Sequence, residues 1–178
     1  MPLMKEMKTK ELINNVVSIN LKNKKEFEGI LVDISDDWCY IKYIPVDYVV
    51  DGFVMINQRY IKNIQRSEEH EFKENILRLK GVIAEKSVEL NIDDNIKLLS
   101  DMQSKIELIQ IELKYPHKCY IGKIHLVKGH SFKARLLSPK ANWLLIESFL
   151  YKEIRAIYFD NDYVNSLQLI LPPISDLD

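Results

Sequence analysis

Glycine is scarce in this chain, with five residues in 178, and proline is little commoner at six. That excludes a low-complexity or disordered polymer, whose composition is built on these residues. Cysteine occurs only at Cys39 and Cys119, too seldom for a disulfide framework, so a reducing cytoplasm is the expected location. Long apolar runs are missing as well. None approaches the ~18 to 20 residues of a membrane-spanning helix, and no membrane partner is expected. The opening MPLMKEMKTKELINN alternates charged and apolar residues and lacks the continuous apolar centre of a signal peptide. Net charge is nearly absent, with 25 Lys and Arg against 26 Asp and Glu, which argues against a strongly basic nucleic-acid binder.

What the chain does have is apolar patterning. Hydrophobic residues make up 47%, ample for a packed core. Val17, Ile19 and Leu21 alternate with Ser18 and Asn20, the period of a half-buried strand. Phe27, Gly29 and Leu31 resume the alternation after a turn at Asn23-Lys24. Asp36-Asp37 marks the next turn before a strand over Trp38–Ile44, and residues 46–56 read as a hairpin about Asp51-Gly52. Further strands fit residues 106–113, 119–127, 131–137, 143–149, 154–159 and 163–171. Helices fit residues 3–14, a segment capped by Ser67 and ended by Gly81, and a segment after Asn91 with Ile92, Ile96, Leu99 and Met102 on one face.

A repeat is visible in the spacing. Phe27, Leu31, Trp38 and Ile41 have the same offsets as Phe132, Leu136, Trp143 and Ile146, and these include both tryptophans of the chain. Each copy then reaches an Ile-x-x-Ile step, Ile61 with Ile64 and Ile154 with Ile157. The expected fold class is mainly β with short helices, as tandem small antiparallel barrels joined by helices. The expected organisation is a helix, barrel and following helix over 1–81, a packed linker and connecting helix over 82–104, a second barrel over 105–171, and a tail over 172–178.

The segment LKNKKEFEGILVDISDDWCYI (residues 21–41) resembles the first motif of the Sm-like proteins, with Leu21, Asn23, Phe27, Gly29 and Leu31 at the matching places. VMINQRYIKNI (residues 54–64) resembles their second motif. The resemblance covers residues 5–66, with a divergent second copy after it. It implies small, strongly bent five-stranded SH3-like barrels, each preceded by a helix. It also implies association edge to edge through exposed strands, one edge of which a two-barrel chain satisfies internally. The places of the family's nucleobase pocket hold Ser35, Cys39, Asn57 and Gln58, which implies that the base-reading site is not retained. Arg59 lies one place along.

Between Leu113 and Ile146 there is no Asp or Glu. Lys114, Lys118, Lys123, Lys128, Lys133, Arg135 and Lys140 fall there, interleaved with Tyr115, Tyr120, Phe132 and Trp143. Cations that track phosphates beside rings that stack on bases suit single-stranded nucleic acid. The same residues also suit a solvated wall facing Asp33, Asp36, Asp37, Asp47 and Asp51. His117, Cys119, His125 and His130 lack metal-ligand spacing, because 119 to 125 spans about 20 Å of extended chain. Asp160-Asn161-Asp162 reads as a turn. No nucleophile motif or phosphate-cradling glycine loop occurs, so neither catalysis nor a cofactor is expected. The expected function is a non-catalytic module for protein or peptide interaction or self-association. Alternatives are RNA or single-stranded nucleic-acid binding through residues 114–140, and small-molecule sensing or an enzyme in the groove between barrels.

Overall fold

Apolar alternation puts most of the chain into strands. The computed structural model describes residues 9–174, and among these it is mainly β with three α-helices. The first half holds β1 (Val16–Leu21), β2 (Glu26–Ile34), β3 (Trp38–Tyr43), β4 (Phe53–Asn57) and β5 (Ile61–Gln65). Two helices follow, α1 (Glu68–Leu79) and α2 (Asn95–Lys105). The second half holds β6 (Ile109–Leu113), β7 (Cys119–Val127), β8 (Ser131–Leu137), β9 (Trp143–Leu150) and β10 (Ile154–Phe159), closed by helix α3 (Asp162–Gln168). A 3-10 turn precedes β5 at Gln58–Tyr60 and another precedes β10 at Tyr151–Glu153. No helix among the described residues is long and apolar enough to cross a membrane.

All pairing is antiparallel, in one open sheet ordered β5-β1-β2-β3-β4-β10-β6-β7-β8-β9. The expected mainly-β antiparallel architecture is present. Strand pairing does not close it into two rings, because β4 passes its outer side to β10. The second half repeats the order of the first, with β10, β6, β7, β8 and β9 standing where β5, β1, β2, β3 and β4 stand.

The repeat has a different register from the one the tryptophans suggest. Trp38 opens β3, whereas Trp143 opens β9, so matching them slips the halves by a whole strand. The structural correspondence joins residues 93 apart in number, as Gly29 and Gly122 are. A Cβ on Gly29 would lie 2.4 Å from the Lys42 carbonyl oxygen, and one on Gly122 would lie 2.5 Å from that of Arg135. Both glycines therefore mark the same close approach of the second strand of a half to the third. Bulges between Leu31 and Asp33 and between Ile124 and Leu126 keep this register, as do the two Ile-x-x-Ile steps. The tryptophan match arose because β2–β3 and β8–β9 are both hairpins that resume on an aromatic residue, a pattern common to antiparallel pairs.

Two local expectations are corrected, the strand over 163–171 and the hairpin over 46–56. Residues 163–171 form α3 and a short extension, not a strand. Asn161 caps the helix by accepting from the Val164 amide at 2.8 Å, and Val164 and Leu167 are buried at helical spacing. Helix α2 starts at Asn95, capped by Asp94, so Ile92 of the expected helical face lies before it. The hairpin over 46–56 reduces to an isolated Val46–Val49 bridge before β4. Of the helix expected over 3–14, residues 3–8 lie outside the described residues; Thr9 and Lys10 are helical, and the chain turns at Asn14 with φ 68°. The tail, described to Ile174, is held where the Trp143 indole donates to the Pro172 carbonyl at 2.8 Å.

The segment before α2 packs, as expected. Lys42, almost wholly buried, donates to the carbonyls of Val82, Ile83 and Glu85. Tyr40 donates to Val88 at 3.0 Å, Ser35 to the Ile92 carbonyl at 2.6 Å, and the Trp38 indole to Asn95 at 3.0 Å. These bonds seat α2 over a core shared by both halves. Trp38, Tyr40, Phe53 and Met55 pack there with Leu98, Leu99 and Met102 of α2 and with Ile109, Ile124, Phe132 and Phe159 of the second half. The other face of the same strands carries Cys39, Ile41, Val54 and Ile56 into a core with β1 and β2. β3 and β4 are thus buried on both faces, which is why they read as nearly unbroken apolar runs.

Candidate functional site

Of the four residues at the places that the Sm-like resemblance marks as a pocket, three make internal bonds and the fourth, Cys39, is buried. Ser35 Oγ donates to Ile92 and accepts from the Trp38 amide at 3.0 Å, which closes the β2–β3 turn. Cys39 is fully buried, and burial, reinforced by Asp33, pushes its thiol up. Asn57 Nδ2 donates to the carbonyls of Tyr151 and Ile154 at 3.2 and 3.0 Å, while its Oδ1 accepts from the Arg59 amide. Gln58 Nε2 donates to the Ser35 carbonyl at 3.0 Å. The amide of Asn57 therefore reads the backbone of the second half and leaves little donor capacity for a ligand.

Beside these residues the turns of both halves enclose a cleft of about 700 Å³. Asp36, Asp37 and Arg59 line it from the first half, His130 and Lys152 from the second, and Asn95 from α2. Arg59 and Lys152 are repeat counterparts, as are Asp37 and His130. Lys22 donates to the Arg59 carbonyl at 2.7 Å, and the Tyr60 hydroxyl donates to the Lys152 carbonyl, so the two 3-10 turns are tied together. Cations face carboxylates across this space, and the two signs largely cancel one another's field. Arg59 is marked by the Sm-like resemblance but its counterpart Lys152 is not, because the tryptophan spacing points to a different register from the one the two Ile-x-x-Ile steps keep.

The acid-free stretch is dispersed by the reversal of the chain at each hairpin. Lys123 and Arg135 are cross-strand partners, and Lys133 follows two places along β8 on the same face. Lys114, Lys118 and Lys140 lie at the hairpins at one end of β7 and β8, and Lys128 lies at the other end. Nine residues of β7 separate those ends, roughly 30 Å. Acids from elsewhere also return to it: Lys123 pairs with Glu107 at 2.7 Å and Lys114 with Glu153 at 3.8 Å. Arg135 is 8% exposed. His117, Cys119, His125 and His130 are strung along the length of β7. Among the described residues no group of three or more His, Cys, Asp or Glu is placed to hold a metal ion.

At the junction of the halves Lys25, Glu112, Arg155 and Tyr158 form a mostly buried polar cluster. Glu112 accepts from Lys25 and Arg155, each at 2.6 Å, and from Tyr158 at 2.8 Å. Burial acts to raise its carboxyl, but Lys25, Tyr158 and Arg155 outweigh that and hold it below the usual carboxylate range. Glu74 is similar. Burial acts to raise it, and bonds from Arg78, the Val16 amide and Arg66 bring it down. Groups depressed in the folded state contribute stability above the unfolded pKa, about 4.3, and lose it as pH falls through the lower folded value. The melting temperature is therefore expected to be level from pH 7 to about 5 and to fall steeply below about 4. Glu112→Gln is expected to lower the neutral-pH value and flatten the acid limb. An unchanged acid limb in that variant, followed by circular dichroism, would remove Glu112 from this account.

The remaining feature is an edge. Among the described residues β9 closes one end of the sheet and pairs only with β8. Leu144, Leu145 and Leu150 are 46%, 61% and 40% exposed, the first two within a bulge, because Arg135 pairs with Ile146 and Leu137 with Trp143. One of the eight β9 residues is buried, whereas all five residues of β4, its counterpart, are buried because β10 covers β4. The regular part of this edge, residues 146–150, is a template for pairing with another strand. Comparison with family models, with curated proteins and with solved structures finds no match for this chain.

Proposed function

We propose that the chain is a non-catalytic assembly module, two Sm-like units fused edge to edge in one polypeptide, that self-associates through β9. The carrying observation is the contrast between β4 and β9. The same position in the repeat is wholly buried where a strand pairs beside it and largely exposed where, among the described residues, none does. The Sm-like part of the reading is supported by the repeated strand order, the bulged second strand with its close-approach glycine, and the 3-10 turn before each fifth strand. Dispersal of the basic stretch and internal bonding or burial of the four pocket places favour assembly over nucleic-acid binding as the main role.

Light scattering across a concentration series tests it. Wild-type mass is expected to exceed the 21.0 kDa monomer and to rise with concentration. Leu145→Lys places a charge on the exposed edge and is expected to return the protein to monomer with unchanged circular dichroism. A wild-type chain that stays monomeric throughout would refute self-association.

A further inference from the structure

Beyond self-association, we infer that the cleft between the halves holds a short zwitterionic peptide, its carboxylate at Arg59 and Lys152 and its ammonium at Asp36 and Asp37. Elsewhere in the fold, opposite charges that approach one another close into pairs. Lys25 and Arg155 close on Glu112, Arg66 and Arg78 on Glu74, and Lys73 on Glu28. The cleft keeps its charges open. Among the described residues no cation nitrogen lies within 4.0 Å of the Asp36 or Asp37 carboxylate, and the Arg59 guanidinium and Lys152 ammonium have no hydrogen-bond or ion-pair partner. The turns that carry these groups are bonded into one rim. The Gln58 amide donates to the Asp37 carbonyl at 2.9 Å and its Nε2 to that of Ser35 at 3.0 Å, which joins the β2–β3 turn to the first 3-10 turn. Tyr60 ties that turn to Lys152, and the Tyr151 amide donates to the His130 carbonyl at 3.2 Å.

The repeat gives the rim two ends of opposite sign. Both 3-10 turns present a cation, but only the first half presents carboxylates, because Asp36 and Asp37 correspond to Gly129 and His130. A phosphate or a nucleic-acid strand meets those carboxylates as repulsion, whereas a molecule with one charge of each sign satisfies both ends. Asn95 adds a neutral contact. Its Oδ1 accepts from the Trp38 indole at 3.0 Å, so its Nδ2 is left to donate to a peptide carbonyl. Leu150 and Tyr151 add apolar wall. The volume, about 700 Å³, falls within the ~300 to 1,000 Å³ of small-ligand sites and suits a short peptide better than a single amino acid.

Titration of the full chain with trialanine tests the site. Trialanine is expected to bind, and N-acetyl-trialanine and trialanine amide, each lacking one charge, are expected to bind about tenfold more weakly. Asp36→Asn with Asp37→Asn is expected to weaken trialanine and leave the N-acetyl form unchanged. Arg59→Gln with Lys152→Gln is expected to weaken trialanine and leave the amide form unchanged. That pattern assigns each end of the peptide to its wall, and a folding defect does not produce it. Equal binding of the three peptides, no binding of trialanine at millimolar concentration, or equal weakening of all three by either variant would overturn the proposal. So would tighter binding of inorganic phosphate or of a single-stranded RNA oligonucleotide. A chain carrying Leu145→Lys is expected to bind trialanine as the wild type does, so the site stands or falls separately from self-association.

Discussion

Phe159→Ala is expected to lower the free energy of unfolding by about 4 kcal/mol, with loss of both halves in one transition. Phe159 is fully buried at the end of β10. Its ring stacks on Phe53 of β4 and lies 6.0 Å from Tyr40 of β3, so one side chain touches two strands of the other half. Truncation removes the transfer free energy of the ring and leaves a cavity that collapse cannot fill, because Trp38, Tyr40 and Phe53 are fixed by pairing on both sides. Cooperativity follows from the same geometry. The shared core contains residues of β3 and β4 together with residues of β6, β7, β8 and β10, so weakening it weakens both halves at once. Thermal unfolding of the variant read by two probes, tryptophan fluorescence and far-ultraviolet circular dichroism, checks this. Two separated transitions would show that each half holds itself together.

Gly52→Ala is expected to be nearly as damaging, by about 3 kcal/mol, while Gly81→Ala is expected to cost only about 1. Both glycines have positive φ, +66° at Gly52 and +80° at Gly81, where a side chain is strained. The backbone penalty is therefore similar. The surroundings differ. A Cβ on Gly52 would lie 2.5 Å from the Asn161 amide nitrogen and 2.6 Å from the Asp160 carbonyl, whereas nothing lies within 4 Å of one on Gly81. The backbone at Asp160 has little room to yield. Asp160 itself has φ 55°, the next residue caps α3, and the Asp51 carboxylate accepts from the Asp162 amide at 2.7 Å. Chemical denaturation of the pair measures the difference. Equal losses would mean that the β4 approach and the α3 start do not constrain each other.

Local patterning was legible where local physics decides it. Ser67 before a helical stretch and Gly81 after it delimited α1 closely, and charged turns separated most of the strands. Where two periods fit, the sequence misled. Residues 163–171 read as a strand, whereas the Asn161 cap starts a helix over Asp162–Gln168. Pairing partners were less legible still. FVMIN and WLLIESFL are both apolar strands, and nothing in either says that one has a neighbour and the other an open side. The acid-free stretch illustrates the same limit. Adjacency along the chain placed Lys114 and Lys128 in one basic run, and hairpin geometry sent them to opposite ends of β7.

Hydrogen exchange of the β9 amides tests the central claim most directly. At low concentration the amides of β4 are expected to be protected, while the outward-facing amides of Trp143–Leu150 exchange quickly, since among the described residues only β8 pairs with that strand. At high concentration those same β9 amides are expected to slow by at least tenfold, with β5 unchanged. Fast β9 exchange at every concentration, or protection that appears at β5 instead, would contradict the account.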